Sequence, residues 1–264
     1  MIVNLHLLAL GLYGVATALA VAPFVGRRAA PRALLLGVPS AGAAFHVAAL
    51  AQLSLVGLAS ALSLLALCLV VLQVLSERTL RASAVALFTG PLAAGLVGLA
   101  LLIGLGPNAQ PAGARDTWLV MHVALSFLGL ALLALAFFAA ALYLLQFREL
   151  KSKHFGQVFR LFPPLERLDR LNLVALAAGF PILTIGVLLA IGYAVRFAGG
   201  VEVAKAQAVF GAFTWAVLGW AVWVRHVRHW GGRRAAFASI AGFAAVLLVY
   251  LALKLTVPGT ARFL

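Results

Sequence analysis

Acidic residues are scarce in this sequence: six Asp and Glu stand against twenty Lys and Arg in 264 residues. Glu77, Asp116, Glu149, Glu166, Asp169 and Glu202 all lie in or at the ends of charged segments, so no apolar run carries an acid near its middle. Proton- and cation-coupled transport usually rests on ionisable groups at membrane depth, so such a mechanism here would have to use histidine. Cysteine is reduced to Cys68, which excludes a disulfide framework, a Cys-x-x-Cys pair and a Cys-x-x-Cys-His haem attachment site. Cys68 is expected to be a small packing residue. The sequence also lacks a His-Glu-x-x-His motif, a Ser/His/Asp set with its carboxylate at depth and a P-loop, so hydrolysis is not expected and the chain does not read as an enzyme.

What fills the sequence instead is apolar. Hydrophobic residues make up 65% of it, charged residues 10%, and the mean hydropathy is +1.12. A water-soluble fold has no surface for so many apolar side chains, so lipid is the expected solvent. Uncharged runs at 2–25, 33–54, 57–75, 83–105, 117–147, 171–195, 206–224 and 235–253 are each long enough to cross a bilayer core of about 30 Å as a helix. The runs are unbroken rather than alternating, which predicts helices and not barrel strands. The expected fold is therefore an all-α, polytopic transmembrane bundle of about eight spans in a single domain.

The charge excess is organised by position. With the N-terminus outside, the odd-numbered loops hold fifteen basic residues: Arg27, Arg28 and Arg32; Arg78 and Arg81; six between Arg148 and Arg170; and four between Arg225 and Arg234. The other side holds only Arg115, Arg196, Lys205, Lys254 and Arg262. The positive-inside rule then predicts both termini on the non-cytoplasmic side, in a bacterial cytoplasmic (inner) membrane. The excess reads as a topology signal and a contact with anionic lipid, not as a nucleic-acid surface. Ala20-Val21-Ala22 has the spacing of a signal cleavage site, but no basic residue precedes it, so the first span is expected to remain uncleaved.

One connection, about 148–170, is long. Phe155, Val158, Phe159 and Phe162 recur at helical spacing among Lys151, Lys153 and Arg160, as in a short helix lying in the cytoplasmic interface. Pro163-Pro164 ends it, and Leu165, Leu168 and Leu171 begin the next span. The segment reads equally as a basic anchor or as a docking site for another membrane subunit. Within the sixth span, Gly179-Phe180-Pro181 is expected to kink the helix.

Histidine is the chemistry left inside the membrane. His6, His46 and His122 lie in spans and His154, His226 and His229 among basic residues. His6 lies near the outer start of the first span. His122 is about 5 residues, roughly 7.5 Å, below the outer start of the fifth, and His46 about 8 residues, roughly 12 Å, below the outer end of the second. Imidazoles at similar depth without carboxylates or thiolates suit haem iron or, less specifically, copper or zinc. A lone span histidine also serves as a helix-to-helix hydrogen-bonding residue. As ligands, His46 and His122 form the expected pair facing across the outer half, with His6 as alternate. Phe45, Trp118 and Trp215 would supply flat walls, and Arg115, Arg196 and Lys205 would pair with propionates.

Several stretches resemble a known family. Trp118-Leu-Val-Met-His122-Val-Ala-Leu-Ser126, the helix ending Ala141-Leu-Tyr143-Leu-Leu-Gln146, and the turn from Pro163-Pro164-Leu165-Glu166 to Leu168-Asp169 look like the cytochrome c assembly protein family (CcsA-like). So do Gly-Phe-Pro-Ile-Leu-Thr184 with Gly186, the helix from Lys205 to Trp215, and Trp230-Gly-Gly232-Arg233-Arg234. The match is to the short HemX-like and YpjD-like members. The resemblance implies haem handling in the membrane, with haem b as the expected cofactor, and places His46 and His122 where relatives carry span histidines. The Trp-Gly-x-x-Trp-x-Trp-Asp loop with which larger members present haem is missing; Trp215, Trp220 and Trp223 lie in a span instead.

Three functions follow as expectations. The first is a membrane haem-binding protein assisting cytochrome c biogenesis, with other biogenesis proteins as partners. The second is a cofactor-free regulatory or scaffold subunit, in tetrapyrrole synthesis or ion homeostasis, docking through 148–170. The third is a small-solute or metal transporter with a histidine site.

Overall fold

The computed structural model describes residues 1–26, 28–53, 57–105, 114–153, 156, 161–197 and 205–256, with backbone alone at 114–116, 205–207 and 253–256. Among these residues the regular structure is entirely helical, with no strand. Eight long helices follow one another: α1 (Ile2–Val21), α2 (Arg32–Leu50), α3 (Leu58–Leu80), α4 (Ala86–Ile103), α5 (Ala114–Ser152), α6 (Leu165–Phe197), α7 (Lys205–His226) and α8 (Gly232–Thr256). All eight are long and apolar enough to span a membrane, as the uncharged runs predict. Exposed Leu7, Leu8, Leu188, Leu248 and Leu251 are the lipid-facing side of that same pattern.

The helices form two four-helix units. In the first, α1 packs on α2 and α4, and α3 on α2 and α4. In the second, α5 packs on α6 and α8, and α7 on α6 and α8. The units join mainly where α3 and the turn Ser83–Val85 meet α5, with Phe88 of α4 stacked on Phe138 of α5 at 5.3 Å. Leu69, Leu72, Val85, Leu132, Leu135 and Leu142 are buried at or beside this junction.

Two helices exceed the bilayer. The 39 residues of α5 rise about 58 Å and the 33 of α6 about 50 Å, against a hydrocarbon core of about 30 Å. The apolar runs at 117–147 and 171–195 are therefore only the central parts of longer helices. α6 starts at Leu165, immediately after Pro163-Pro164, and continues through Pro181. Phe155, Val158, Phe159 and Arg160, which carry the expected interfacial helix, lie outside the described residues. Phe162 does return to the bundle, its ring 5.9 Å from Phe24.

At the basic end the helices are tied by charge. Arg225 of α7 donates through both terminal nitrogens to the Asp169 carboxylate of α6, and the Gly232 N–H donates to the same carboxylate at 2.9 Å. Asp169 thus pins the start of α8 as well as the end of α7. Across the bundle, Arg32 of α2 donates to the Glu77 and Arg78 carbonyls of α3 at 3.3 and 3.1 Å.

Candidate functional site

α2 stops at Leu50, four residues earlier than its apolar run. The chain leaves it through turns in which the Gln52 and Leu53 N–H groups donate to the Ala49 and Leu50 carbonyls. His46 consequently lies about 6 Å, not 12 Å, from the end of its helix. His6 is four residues into α1, and Ser63 five residues into α3. The three side chains therefore share one layer on three neighbouring helices.

In that layer His6 Nε2 is 2.9 Å and His46 Nε2 2.7 Å from the single Ser63 Oγ. The two rings stand edge to face, with centroids 5.1 Å apart. Tyr13 Oη is 3.0 Å from His46 Nδ1, and His6 Nδ1 is 3.0 Å from the Ile2 carbonyl. All four side chains are essentially inaccessible. A carbonyl only accepts, so with one proton per imidazole every direction follows. His6 Nδ1–H donates to Ile2 O, the Ser63 hydroxyl donates to His6 Nε2, His46 Nε2–H donates to Ser63 Oγ, and the Tyr13 hydroxyl donates to His46 Nδ1. Each member is satisfied, as a polar group in a dry seam requires.

Tyr13 reaches His46 because α2 carries glycine opposite it: a Cβ on Gly42 would stand 2.7 Å from Tyr13 Cε1. Neither Tyr13 nor Ser63 was among the candidates read from sequence, yet both left a signal. His6, Ala9, Tyr13 and Ala16 are the buried residues of α1 and mark one stripe of small and polar side chains. Gly42 and His46 likewise share a face of α2, one turn apart.

His122 goes elsewhere. Its Nδ1 donates to the Gly186 carbonyl of α6 at 2.7 Å, with Ser126 Oγ a longer 3.4 Å away. The expected facing pair of His46 and His122 is not formed. α2 packs on α1 and α3, α5 on α6, α8 and α3, and each imidazole turns into its own helix interface. The apolar runs gave the order of the spans but misplaced the depth of His46, and rotation about the helix axis was not legible.

The aromatic candidates divide in the same way. Trp118 lies on the His122 side: its indole N–H donates to the Leu189 carbonyl at 2.8 Å, and its ring packs on Phe197 at 6.1 Å. Trp215 of α7 donates to Thr184 Oγ1 at 2.9 Å and lies 5.6 Å from Phe180. At about 100° per residue, Gly186, Leu189, Gly192 and Arg196 share one side of α6, and Phe180 and Thr184 lie on the opposite side. Trp215 therefore does not join His122 and Trp118. Phe45 is exposed and forms no wall beside His46. The Arg115 and Lys205 side chains lie outside the described residues. Arg196 is exposed near Trp118, its guanidinium 5.7 Å from the Phe197 ring centre.

Glycine makes the His122 contact possible. A Cβ on Gly186 would stand 2.9 Å from Ser126 Oγ, one on Gly129 would stand 2.9 Å from the Leu183 Cβ, and one on Gly192 would stand 2.7 Å from the Trp118 ring. α5 and α6 thus approach closely along their shared length, as small residues allow in lipid.

The sequence profile of the family described as "Cytochrome C assembly protein" matches residues 55–260. The chain belongs to the cytochrome c assembly protein family. Among curated relatives, a cytochrome c biogenesis protein CcsA from Guillardia theta is 29% identical over 161 residues, covering 52% of this chain and 50% of the relative. The CcsA of Chlamydomonas reinhardtii is 28% identical over 150 residues, covering 53% and 39% respectively. An uncharacterized 28.8 kDa protein from Azospirillum brasilense is 33% identical over 149 residues, covering 56% and 52%. The chain spans about half the length of these relatives, or less. Within the family match lie Ser63, Trp118, His122, Gly186 and Trp215, whereas α1 and α2, with His6, Tyr13 and His46, precede it.

Proposed function

We propose that this protein handles haem in the membrane in the service of cytochrome c assembly, through the α5–α6 face that carries His122. Family membership supports the assembly role, and the uneven distribution of arginine supports an orientation with the His122 end outside the cytoplasm. The observation that carries the reading is the His122 hydrogen bond. Because Nδ1–H donates to the Gly186 carbonyl, the neutral ring carries its lone pair on Nε2, the tautomer in which that nitrogen ligates a metal.

The histidines differ in their fit to haem. His6 and His46 do not fit haem: their Nε2 atoms converge on one hydroxyl, which leaves no gap for a flat macrocycle, and both lone pairs already accept hydrogen bonds. His122 would hold haem through its Nε2 on a half-buried surface. Trp118 and Phe197 offer apolar ring surface beside it, and Arg196 a charge for a propionate. When bound, haem would supply redox-active iron; these side chains would hold and orient it. The chain acts by binding and not by catalysis.

The test is the absorption spectrum, oxidised and reduced, of detergent-purified protein from haem-replete cells. A Soret band is expected in the parent and in a His46→Ala variant, and its loss in His122→Ala. A parent that stays colourless through haem titration, or a Soret band indifferent to His122→Ala, overturns the assignment and favours a cofactor-free scaffold.

A further inference from the structure

The α7–α8 side of the bundle takes no part in the haem reading. Between these helices the lipid-facing surface sinks into an open apolar groove of about 310 Å³, lined by Ala216, Val217 and Trp220 of α7 and Ala241, Gly242 and Ala245 of α8. Its floor is a close approach of the two helices: a Cβ on Gly242 would stand 3.0 Å from Val217 Cγ1. We infer that this groove and the arginines at its basic end bind one anionic phospholipid, with an acyl chain in the groove and the phosphate on Arg228 and Arg234.

Both arginines stand over the groove. At about 100° per residue, Arg234 shares the side of α8 that carries Ala241 and Ala245, and Trp223 shares the side of α7 that carries Ala216. The Arg228 guanidinium lies 5.8 Å from the Trp223 ring centre. Neither Arg228 nor Arg234 forms an ion pair among the described residues. Asp169, the acid at this corner, already accepts from Arg225 and the Gly232 N–H. α8 begins Gly232-Arg233-Arg234 with no acid in its first turn, so two cations sit where the helix dipole favours an anion. Arg233 turns away, over the Phe147 and Phe237 rings at 5.9 and 5.4 Å. The charge left facing the groove is complementary to a phosphate, which arginine binds through charge-assisted hydrogen bonds.

Length selects a lipid. Ala241 and Ala245 lie about 10.5 and 16.5 Å along α8 from Arg234, and half of a hydrocarbon core of about 30 Å is about 15 Å. A phosphate level with Arg234 therefore places its acyl carbons along the groove within one leaflet. Free phosphate would use the arginines and leave the groove bare; a second copy of the chain would cover the groove with no anion for the arginines. A phospholipid uses both.

Native mass spectrometry of the full-length, delipidated protein in detergent, titrated with phosphatidylglycerol or phosphatidylcholine, tests this. The parent is expected to retain about one phosphatidylglycerol per chain in preference to phosphatidylcholine, and Arg228→Gln with Arg234→Gln to weaken that retention at least about tenfold. Ala241→Phe fills the groove without changing charge and should weaken retention about threefold through lost packing. Arg28→Gln with Arg78→Gln removes two charges from the basic end of the other four-helix unit and should leave retention unchanged. All five positions are exposed, so the variants are expected to fold. Equal retention of the two lipids, equal loss in the two double variants, or retention indifferent to Ala241→Phe overturns the proposal. So does a dimer lost in Ala241→Phe in place of the lipid adduct, or inorganic phosphate displacing the lipid. None of these readouts depends on the Soret band at His122.

Discussion

Helices α1–α3 are tied by side chains that bond to other side chains, whereas α5 and α6 are tied by close backbone approach with side chains bonding to carbonyls. In the first unit His6, His46, Tyr13 and Ser63 are one another's partners, and Thr89 of α4 donates to Gln73 of α3 at 2.6 Å. Between α5 and α6, Trp118, His122 and Asn172 donate to the Leu189, Gly186 and Ala136 carbonyls, although elsewhere in that unit Asn172 also donates to Ser239 and Trp215 to Thr184. The difference lies in what a lost side chain leaves behind. A carbonyl inside a helix retains its own helical partner, but a network of side chains loses satisfaction at each neighbouring member.

The strongest test of that contrast is His46→Ala. It opens a cavity, leaves the buried Tyr13 hydroxyl without its acceptor and takes one donor from Ser63 Oγ, so the full chain in detergent should lose about 3 kcal/mol in thermal or denaturant unfolding. A loss as small as that of an exposed hydrogen bond would mean the network does not hold the unit together. Gly186→Val attacks the second unit through packing. Its Cβ meets the Ser126 backbone nitrogen at 3.2 Å as well as the hydroxyl at 2.9 Å, so overpacking should cost about 2 kcal/mol and displace the His122 ring. Unchanged stability there would show that α5 and α6 can separate freely.

His122→Ala should cost less, about 1 kcal/mol, because a half-exposed ring and one bond to a carbonyl are lost. Its expected large effect is on the Soret band and not on the melting curve. The smallest effect is an interaction energy: combined with His46→Ala, the two losses should add within about 0.5 kcal/mol, since the histidines share no partner. A larger coupling, read from the double-mutant cycle, would join two sites that the contacts keep separate.

Eight spans were legible because uncharged runs of bilayer length have few alternatives, and the charged segments between them mark their ends. The ends themselves were less legible. α2 stops at Leu50, where the chain turns while still apolar, and those four residues bring His46 level with His6. α5 and α6 continue past their apolar runs into charged sequence, because good helix formers such as Arg148, Glu149 and Leu150 extend a helix without membrane around it. At the site, Trp118 and His122 were legible as neighbours one turn apart. The pairing of His6 with His46 was not, because depth fixes height while partner choice depends on rotation. That rotation was written in small residues, Ala9 and Ala16 on α1 and Gly42 on α2, rather than in the histidines.

The family match begins at residue 55, between α2 and α3, and the buried polar cluster lies across that boundary, with Ser63 on one side and the other three members, His6, Tyr13 and His46, on the other. The first two helices are therefore not an interchangeable cap. A chimaera that grafts α1 and α2 from a relative onto residues 55–264 would be compatible only if the donor also brings acceptors and donors matched to a serine hydroxyl in the third helix. Residue 63 would thus act as a compatibility marker for recombining the two parts.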